Sequence, residues 1–518
     1  RHAPPDARTR ARVAEIERGR GADLLRAAER DLPRDFRRLI QTTILSPADL
    51  VTLYRQLGIL TTGDLAVALE GHVVAHHGVP EDLAERARRA LHATGEDVRL
   101  TLGRALDTVE PLLSVLQQMA FVAAASVAWS LRRIEPTVRD LRIVAASDDP
   151  GQVWRAVDAL PDVSVRYHGE AGLTAVTPGH EVTIKLAKPD DYGSVLLLHT
   201  GSREHLALLQ DHGRNRTVRL TGDGLTIEGH RAAARTESEA YAAFGLPLIA
   251  PELRLGTDEV LDASRERLPR LVERTDIRGD LHMHTDYSDG RDTLESMVAT
   301  CAALGYEYIA ITDHSQSAGA SRTLSVTALR RQTEEIDRIQ ERYPSLRILK
   351  GVEVDILPDG RLDFPDSVLE PLDLVLASLH DRAGHSPERL LRRYRTAAEH
   401  PLVTILTHPA NRLVGRYDGY DLDFDALFEA AIETDTLLEV DGAPSHLDLD
   451  GALARDAVSR GVMVSLDSDC HHARLLDRQM RLAIGTARRG RVEPAHAVNT
   501  RPLDTLIPLL RRKRRLTA

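Results

Sequence analysis

From Asp280 onward the chain repeats one pattern: a short apolar run, then a longer stretch in which apolar side chains recur at helical spacing. A strand reaches a parallel neighbour only by crossing over, usually through a helix, so this pattern restricts the C-terminal half to a parallel sheet covered by helices. The strand candidates read DLHMH, YIAITDH, RILKGVEVDI, LDLVLASLH, VTILTH, TLLEVDG and VMVSLDSDCH. Seven such units close most easily into a barrel, whose strands all open their C-terminal ends onto one face.

Those strand ends carry an unusual set of side chains. His282 and His284 stand two apart on the first strand, so both point to one side, and Asp289 follows on the loop. His314 ends the second strand, Glu353 lies in GVEVD, His380 ends LASLH and His408 opens THP. Asp469 and His471 repeat the spacing of two on the last strand. A lone strand-end histidine is usually structural, but two such pairs plus further ligand types at the same strand ends are not explained by chance packing. Imidazoles with carboxylates suit first-row ions, Mn or Zn first and Fe or Co next, whereas Mg and Ca prefer oxygen throughout. Nine side chains exceed one ion's needs and fit two to three divalent ions. Ions about 4 Å apart activate water and clamp both oxygens of an in-line displacement, so phosphoester hydrolysis is the expected reaction. His282, His284, Asp289, Asp469 and His471 are the expected catalytic core.

Arg412 and Arg416 in NRLVGRYDGYD are candidate phosphate clamps, Arg412 the stronger, because a guanidinium forks onto phosphate oxygens. Cys470 lies between two ligand candidates, and alternation turns it away into packing. His472, Arg322 and Ser378 are secondary pocket candidates.

At 518 residues the chain exceeds one hydrophobic core, and three units are expected. No apolar run reaches the roughly 18 residues of a membrane span. A net charge of −11, with 21 arginines against 21 acids in residues 1–150, argues against coating nucleic acid by bulk electrostatics. Two cysteines, Cys301 and Cys470, exclude a disulfide scaffold and fit a reducing compartment. The chain opens Arg-His-Ala-Pro-Pro with neither Met nor leader, so a cytoplasmic location is expected, with an upstream piece missing. Short helices are expected from Ala11 to about Ala124. A mostly antiparallel sheet should follow, from LRIVAAS (141–147), VSVRYH (163–168), LTAVTP (173–178), EVTIKLA (181–187) and SVLLLHT (194–200).

The motifs DLHMHTDYSDG, ITDHS, GVEVDILPDG, ASLHD, THPANRLVGR and SDCHH resemble those of the polymerase and histidinol phosphatase (PHP) domain. The closing GTARRGRVEPAHAVNTRPLD is similar to that domain's end in bacterial family X DNA polymerases. The resemblance implies a distorted (β/α)7 barrel with a trinuclear metal site, and each of the nine residues above fills a family ligand position. It also implies a 3′→5′ exonuclease or 3′-phosphatase acting on DNA 3′ ends. A histidinol-phosphatase-type enzyme and a non-catalytic DNA-associated protein are the alternatives.

Farther upstream, TESEAYAAFGLPLIAPELR and LLLHTGSREH resemble the thumb and nucleotide pocket of the same polymerases, and WSLRRIEPTVRDLR resembles their palm motif. On that motif Trp129 replaces a glycine, Asp140 keeps the first aspartate, Arg142 stands at the second and Thr183 at the third. An arginine repels the ion that the lost aspartate would hold, so no polymerase activity is expected. The triplets Ile44-Leu45-Ser46 and Gly78-Val79-Pro80 fall where helix-hairpin-helix loops would cradle phosphate, and they lack the needed glycines and amides. Duplex binding there is not expected. With no lysine before Lys185, neither is a Schiff-base lyase. The expected layout is multidomain: an all-α helix-hairpin-helix-like region (1–115), an α+β degenerate nucleotidyltransferase palm and thumb (116–255), a linker (256–278) and an α/β PHP barrel (279–518).

Overall fold

The computed structural model describes residues 99–513 except 170, 178, 179, 223, 320, 321 and 382–385, together with 44–46, 49, 52, 53, 65 and 79–93. The expected helices before residue 44 and Gly78 lie outside the described residues. Among the described residues no helix is long and apolar enough to cross a membrane. The chain divides into two compact units, the second comprising 101–103, 130–137 and everything from Leu197.

The first unit is built on five strands: β1 (Ala124–Val127), β2 (Leu141–Ala146), β3 (Ser164–Gly169), β4 (Gly172–Thr177) and β5 (His180–Ala187). Their spatial order is β1-β2-β5-β4-β3, antiparallel except for the β2–β5 pair. Alternation along β5 buries Val182 and Ile184 on one face and leaves Thr183 exposed on the other. Helix α1 (Glu81–Ala93) starts at Pro80, whose carbonyl accepts from the amides of Leu83 and Ala84, both at 3.0 Å. The run SVLLLHT departs from expectation: it is the helix α2 (Tyr192–Leu198) and a turn. A continuous apolar run has no period to tell strand from helix. Here the 3-10 turn Pro189–Asp191 leads directly into α2, and Val195 and Leu196 pack on Ala128, Val144 and Ala187.

The second unit opens with a small antiparallel sheet, β6 (Val218–Thr221), β7 (Gly224–Ile227) and β8 (His230–Ala232). It shares a core with the helices α3 (Arg203–Gly213) and α4 (Glu237–Ala243) through Leu209, Leu220, Tyr241 and Phe244. Arg254 is wholly buried there, and is tolerated because Glu237 pairs with it and Ile249 O accepts from Nε at 2.9 Å. Within 256–278, Asp258 and Asp262 pair with Arg491 at 2.6 and 2.7 Å, and Asp258 with Arg455 at 2.7 Å. These pairs fasten this stretch to the barrel's closing helices.

The barrel is as its repeats dictate. Seven strands, β9 (Gly279–Asp280), β10 (Tyr308–Ile311), β11 (Arg347–Asp355), β12 (Leu374–Ser378), β13 (Ile405–Leu406), β14 (Leu437–Asp441) and β15 (Val464–Asp467), run parallel in chain order. The outer helices begin after polar caps: the side chains of Thr293, Ser325, Ser386, Asp423 and Asp450 accept from the first turns of their helices. Each cap contributes about 1 kcal/mol and fixes where the chain turns away from the strand end. Strands are apolar on both faces, Ile309 and Val352 toward the helices, Leu281, Leu349 and Leu376 toward the other core cluster. The first and last strands meet at a parallel bridge between Met283 and Cys470. Crossed carboxylates reinforce that seam: Asp467 accepts from Leu281 N at 2.8 Å and Asp280 from Ser468 N at 3.1 Å.

Candidate metal centre

The seam brings the first and last strands together, and with them both ligand pairs predicted from sequence. His284 Nε2 lies 3.0 Å from His282 Nε2 and 3.0 Å from Asp469 Oδ1. At the centre is Glu353, wholly buried, whose oxygens lie 3.5 Å from His282, 3.6 Å from His284, 2.7 Å from His314, 3.4 Å from His380 and 3.0 Å from His408. Asp289 Oδ1 lies 3.5 Å from His314 Nε2 and 3.3 Å from His471 Nε2. All nine predicted residues thus occupy one basin. His282, His284, His314, Glu353, His408 and Asp469 are buried, and Asp289, His380 and His471 are half-buried toward solvent.

Three groups within the basin each have ligand atoms within 4.8 Å of one another: His284, Asp289, His314 and His471; His282, His284 and Asp469; His314, Glu353 and His380. An ion with bonds of about 2.1 Å sets its donors roughly 3.0–3.4 Å apart, close to the spacings here. Glu353 Oε2 and His314 Nδ1 approach to 2.7 Å, yet neither has a hydrogen-bond partner, and His284 Nδ1 and His408 Nδ1 are also buried without one. Close, unbonded donors are the expected geometry for atoms aimed at a shared ion rather than at each other. The residues therefore fit a metal cluster.

The electrostatics agree. Burial, aided by His471 and His314, lowers His284 to about 3 and holds it neutral, the form that binds metal. Burial opposes ionisation of Asp289, but its histidine neighbours, His471 first, bring it down to about 2. Glu353 lies well below the ordinary carboxylate range against its own burial, through His314, His380 and His282. His380 is raised to about 10 and His471 to about 9, each against its burial, by Glu353 and Asp355 and by Asp289 and Asp469 respectively.

Several supporting residues were not expected. Glu439 accepts from His282 Nδ1 at 2.6 Å and from His408 N at 2.9 Å, and the Thr407 hydroxyl also donates to it. It leaves His282 Nε2 toward the basin and holds His408, whose φ of 31° lies in the left-handed region. Asp355 accepts from His380 Nδ1 at 2.6 Å, turning Nε2 toward Glu353. Asp313 accepts from Thr285 N at 2.8 Å and Ser288 N at 3.1 Å, fixing the loop that carries Asp289. The acids in TLLEVDG were visible in sequence; that Glu439 faces His282 depends on strands far apart in the chain.

The secondary candidates separate. Arg412 is committed elsewhere: NH1 pairs with Asp450 at 3.0 Å and Nε donates to His446 O at 2.8 Å. Arg416 is exposed. Arg322 donates to Gly290 O at 3.0 Å, beside the Asp289 loop, and buried Ser378 lies 3.4 Å from His380 Nδ1. Cys470 is buried, its thiol donates to His472 O at 3.1 Å, and burial raises its pKa. His472 pairs with Asp292 at 2.6 Å.

In the first unit, two residues of the palm-like motif are neighbours across the sheet. Arg142 on β2 pairs in register with Thr183 on β5. Trp129 keeps a left-handed backbone, φ 63°, where glycine would be easiest, and its ring lies under the Arg142 guanidinium at 3.8 Å.

Fold and basin together define a metal-dependent phosphoesterase, and comparison with known proteins agrees: the PHP domain family matches residues 280–442, and the DNA polymerase beta thumb family matches 195–255. The DNA polymerase/3′-5′ exonuclease PolX of Bacillus subtilis is 34% identical over 505 residues, 96% of this chain and 88% of that protein. The chain belongs to this family, the PHP-containing family X DNA polymerases of bacteria, and is a phosphoester hydrolase. A probable phosphatase of Syntrophotalea carbinolica is 29% identical over 45% of this chain and 95% of its own length. Among solved structures, a putative histidinol phosphatase from Listeria monocytogenes aligns at 18% identity over 39% of this chain and 97% of its own, with a TM-score of 0.33 that carries no argument by itself.

Proposed function

We propose that this chain trims DNA 3′ ends, as a 3′→5′ exonuclease or 3′-phosphatase working in the cytoplasm, and that its polymerase site is inactive. The observation that carries the reading is the convergence of nine ligand-type side chains around Glu353. In this reading His282, His284, Asp289, His314, Glu353, His380, His408, Asp469 and His471 hold two to three ions, Mn²⁺ or Zn²⁺ by donor preference, with Fe and Co next. When bound, such ions would supply Lewis acidity toward a phosphoryl oxygen and toward water. The chain's own part is to orient and insulate. Glu439 and Asp355 fix two imidazoles by their far nitrogens, and half-buried Asp289, His380 and His471 mark the side that a strand end enters. Arg412 joins as a phosphate clamp only by leaving Asp450. The DNA substrate is supported by the exonuclease relative that matches almost the whole chain, and palm inactivity by Arg142 and Thr183 at two carboxylate positions.

A second reading, a small-molecule phosphatase, is favoured by the probable phosphatase that matches the barrel over nearly its full length. The two are separated by incubating a 5′-labelled single-stranded oligonucleotide and, in parallel, histidinol phosphate and a generic phosphodiester with Mn²⁺. Wild type is compared with the His282→Ala/His284→Ala double variant. Trimming lost in the variant supports the nuclease. Turnover of small esters with intact oligonucleotide selects the phosphatase, and no turnover of any substrate with any first-row ion rejects both.

A further inference from the structure

The end of the barrel away from the basin holds a cavity of about 510 Å³, lined by the turn before β9, the residues before β10 and the stretch that leads into the closing helix Leu503–Leu510. The basin lies at the C-terminal ends of the strands and the cavity at their N-terminal ends, so a molecule in one does not fill the other. Four charged side chains line it: Asp276, Arg278, Glu307 and Arg501. Both acids are engaged. Asp276 pairs with Arg270 at 2.7 Å and accepts from the Glu273 amide at 2.9 Å, and Glu307 pairs with Arg278. Arg501 differs from its neighbours just upstream: Arg488 holds Glu252 at 2.8 Å and Arg491 holds Asp258 and Asp262, whereas no acid among the described residues pairs with Arg501. Its Nη2 donates to Ala495 O at 3.0 Å, and its Nε is buried without a partner. Arg278, its side chain 42% exposed, keeps N–H groups beyond its one pair. The backbone under both arginines is pinned. The Tyr308 hydroxyl lies 2.9 Å from Asn499 O and 3.0 Å from Arg501 O, and Arg278 N donates to Asn499 O at 2.9 Å.

We propose that this cavity binds a small organic phosphate, its head on Arg501 and Arg278 and its body against Ile277, Pro494 and Pro502. A guanidinium forks onto phosphate oxygens, and two of them match the charge of about −2 that a phosphate monoester carries near pH 7. The volume is that of a small-ligand pocket and exceeds what a bare oxyanion fills, so the ligand has an organic body. No divalent ion takes part. The phosphate comes from a nucleotide or from a phosphorylated sugar; the head group recognised is the same.

The full chain is titrated by calorimetry, in chelator so that the basin holds no ions, with adenosine monophosphate, ribose 5-phosphate, inorganic phosphate and citrate. The expected result is saturable binding of at least one ester, tighter than inorganic phosphate or citrate and unchanged in the His282→Ala/His284→Ala variant. The affinity should fall at least about tenfold in Arg501→Gln, the usual loss for a charge-assisted pair, and return only in part in Arg501→Lys, because an ammonium does not fork. Glu307→Gln frees Arg278 and should tighten binding, which the loss of a merely structural pair would not do. Arg278→Gln, at a largely exposed side chain, should weaken binding and serves if the Arg501 variants do not fold. Binding of adenosine monophosphate alone assigns a nucleotide, and binding of ribose 5-phosphate as well assigns a phosphorylated sugar. No saturable binding, esters no tighter than inorganic phosphate or citrate, an affinity unchanged in Arg501→Gln and Arg278→Gln, weaker binding in Glu307→Gln, or binding lost in the basin variant overturns the proposal.

Discussion

The barrel basin and the palm-like sheet differ most in the side chains they bring together: imidazoles and carboxylates in the one, an arginine, a threonine and an indole in the other. In the basin nine ligand-type side chains converge, and Glu353 is held well below the ordinary carboxylate range, against its burial, by His314, His380 and His282. On the palm-like sheet Arg142 and Thr183 pair in register, and the Arg142 guanidinium lies over the Trp129 ring, 3.6 Å from Asp140. The contrast shows how such sites fail. One change among nine donors leaves eight in place, whereas an arginine among few carboxylates repels the ion they would hold.

The comparison is tested most severely by primer extension. Wild-type protein should incorporate no nucleotide on a primed template with Mg²⁺ or Mn²⁺, and any extension that survives purification would mean that the palm still assembles an ion site. Next, Glu353→Ala should reduce hydrolysis by more than about 100-fold, beyond the cost of changing an outer hydrogen-bond partner, and lower the bound metal per chain. Activity within tenfold of wild type would place the chemistry outside the basin. Glu439→Gln should then lose about 10–100-fold in activity or metal affinity, partly recovered at excess Mn²⁺, because it disturbs only the orientation of His282 and His408. No change in the metal dependence would remove its positioning role.

The smallest effect concerns stability. Glu237 is held below its ordinary value of 4.5, because Arg254 and Arg132 outweigh the burial that would raise it. A depressed carboxylate stabilises the fold fully above its unfolded value, and that contribution is lost as pH falls through the lower folded value. Glu237→Gln should therefore show a flatter decline of Tm below about pH 4.5 than wild type, since it has no carboxylate to protonate. Parallel declines would assign acid sensitivity to other groups.

Much of the barrel was legible because its strands are apolar on both faces and end in conspicuous polar side chains. His282/His284 and Asp469/His471 were readable as pairs because alternation is local: residues two apart share a face whatever the rest of the chain does. The supporting shell was not readable. Glu439 reaches His282 across 157 residues of sequence, and Asp355 reaches His380 across 25. Neither spacing carries a signal. SVLLLHT failed for a related reason, since an unbroken apolar run fits a buried strand and a buried helix equally well until its packing partners are known.

The sequence by itself determined the repeated strand-helix order, the ligand types and their local pairing, and that residues 142 and 183 are an arginine and a threonine. Tertiary structure decided the rest: that the barrel closes through Asp280 and Asp467, that one glutamate sits among five histidines, that Arg412 faces Asp450, and that Arg142 rests on Trp129. Periodicity and residue chemistry are properties of neighbours along the chain. Which side chains share one small, poorly hydrated volume is fixed only by closing long loops, where the packing of strands selects among partners that look alike in sequence.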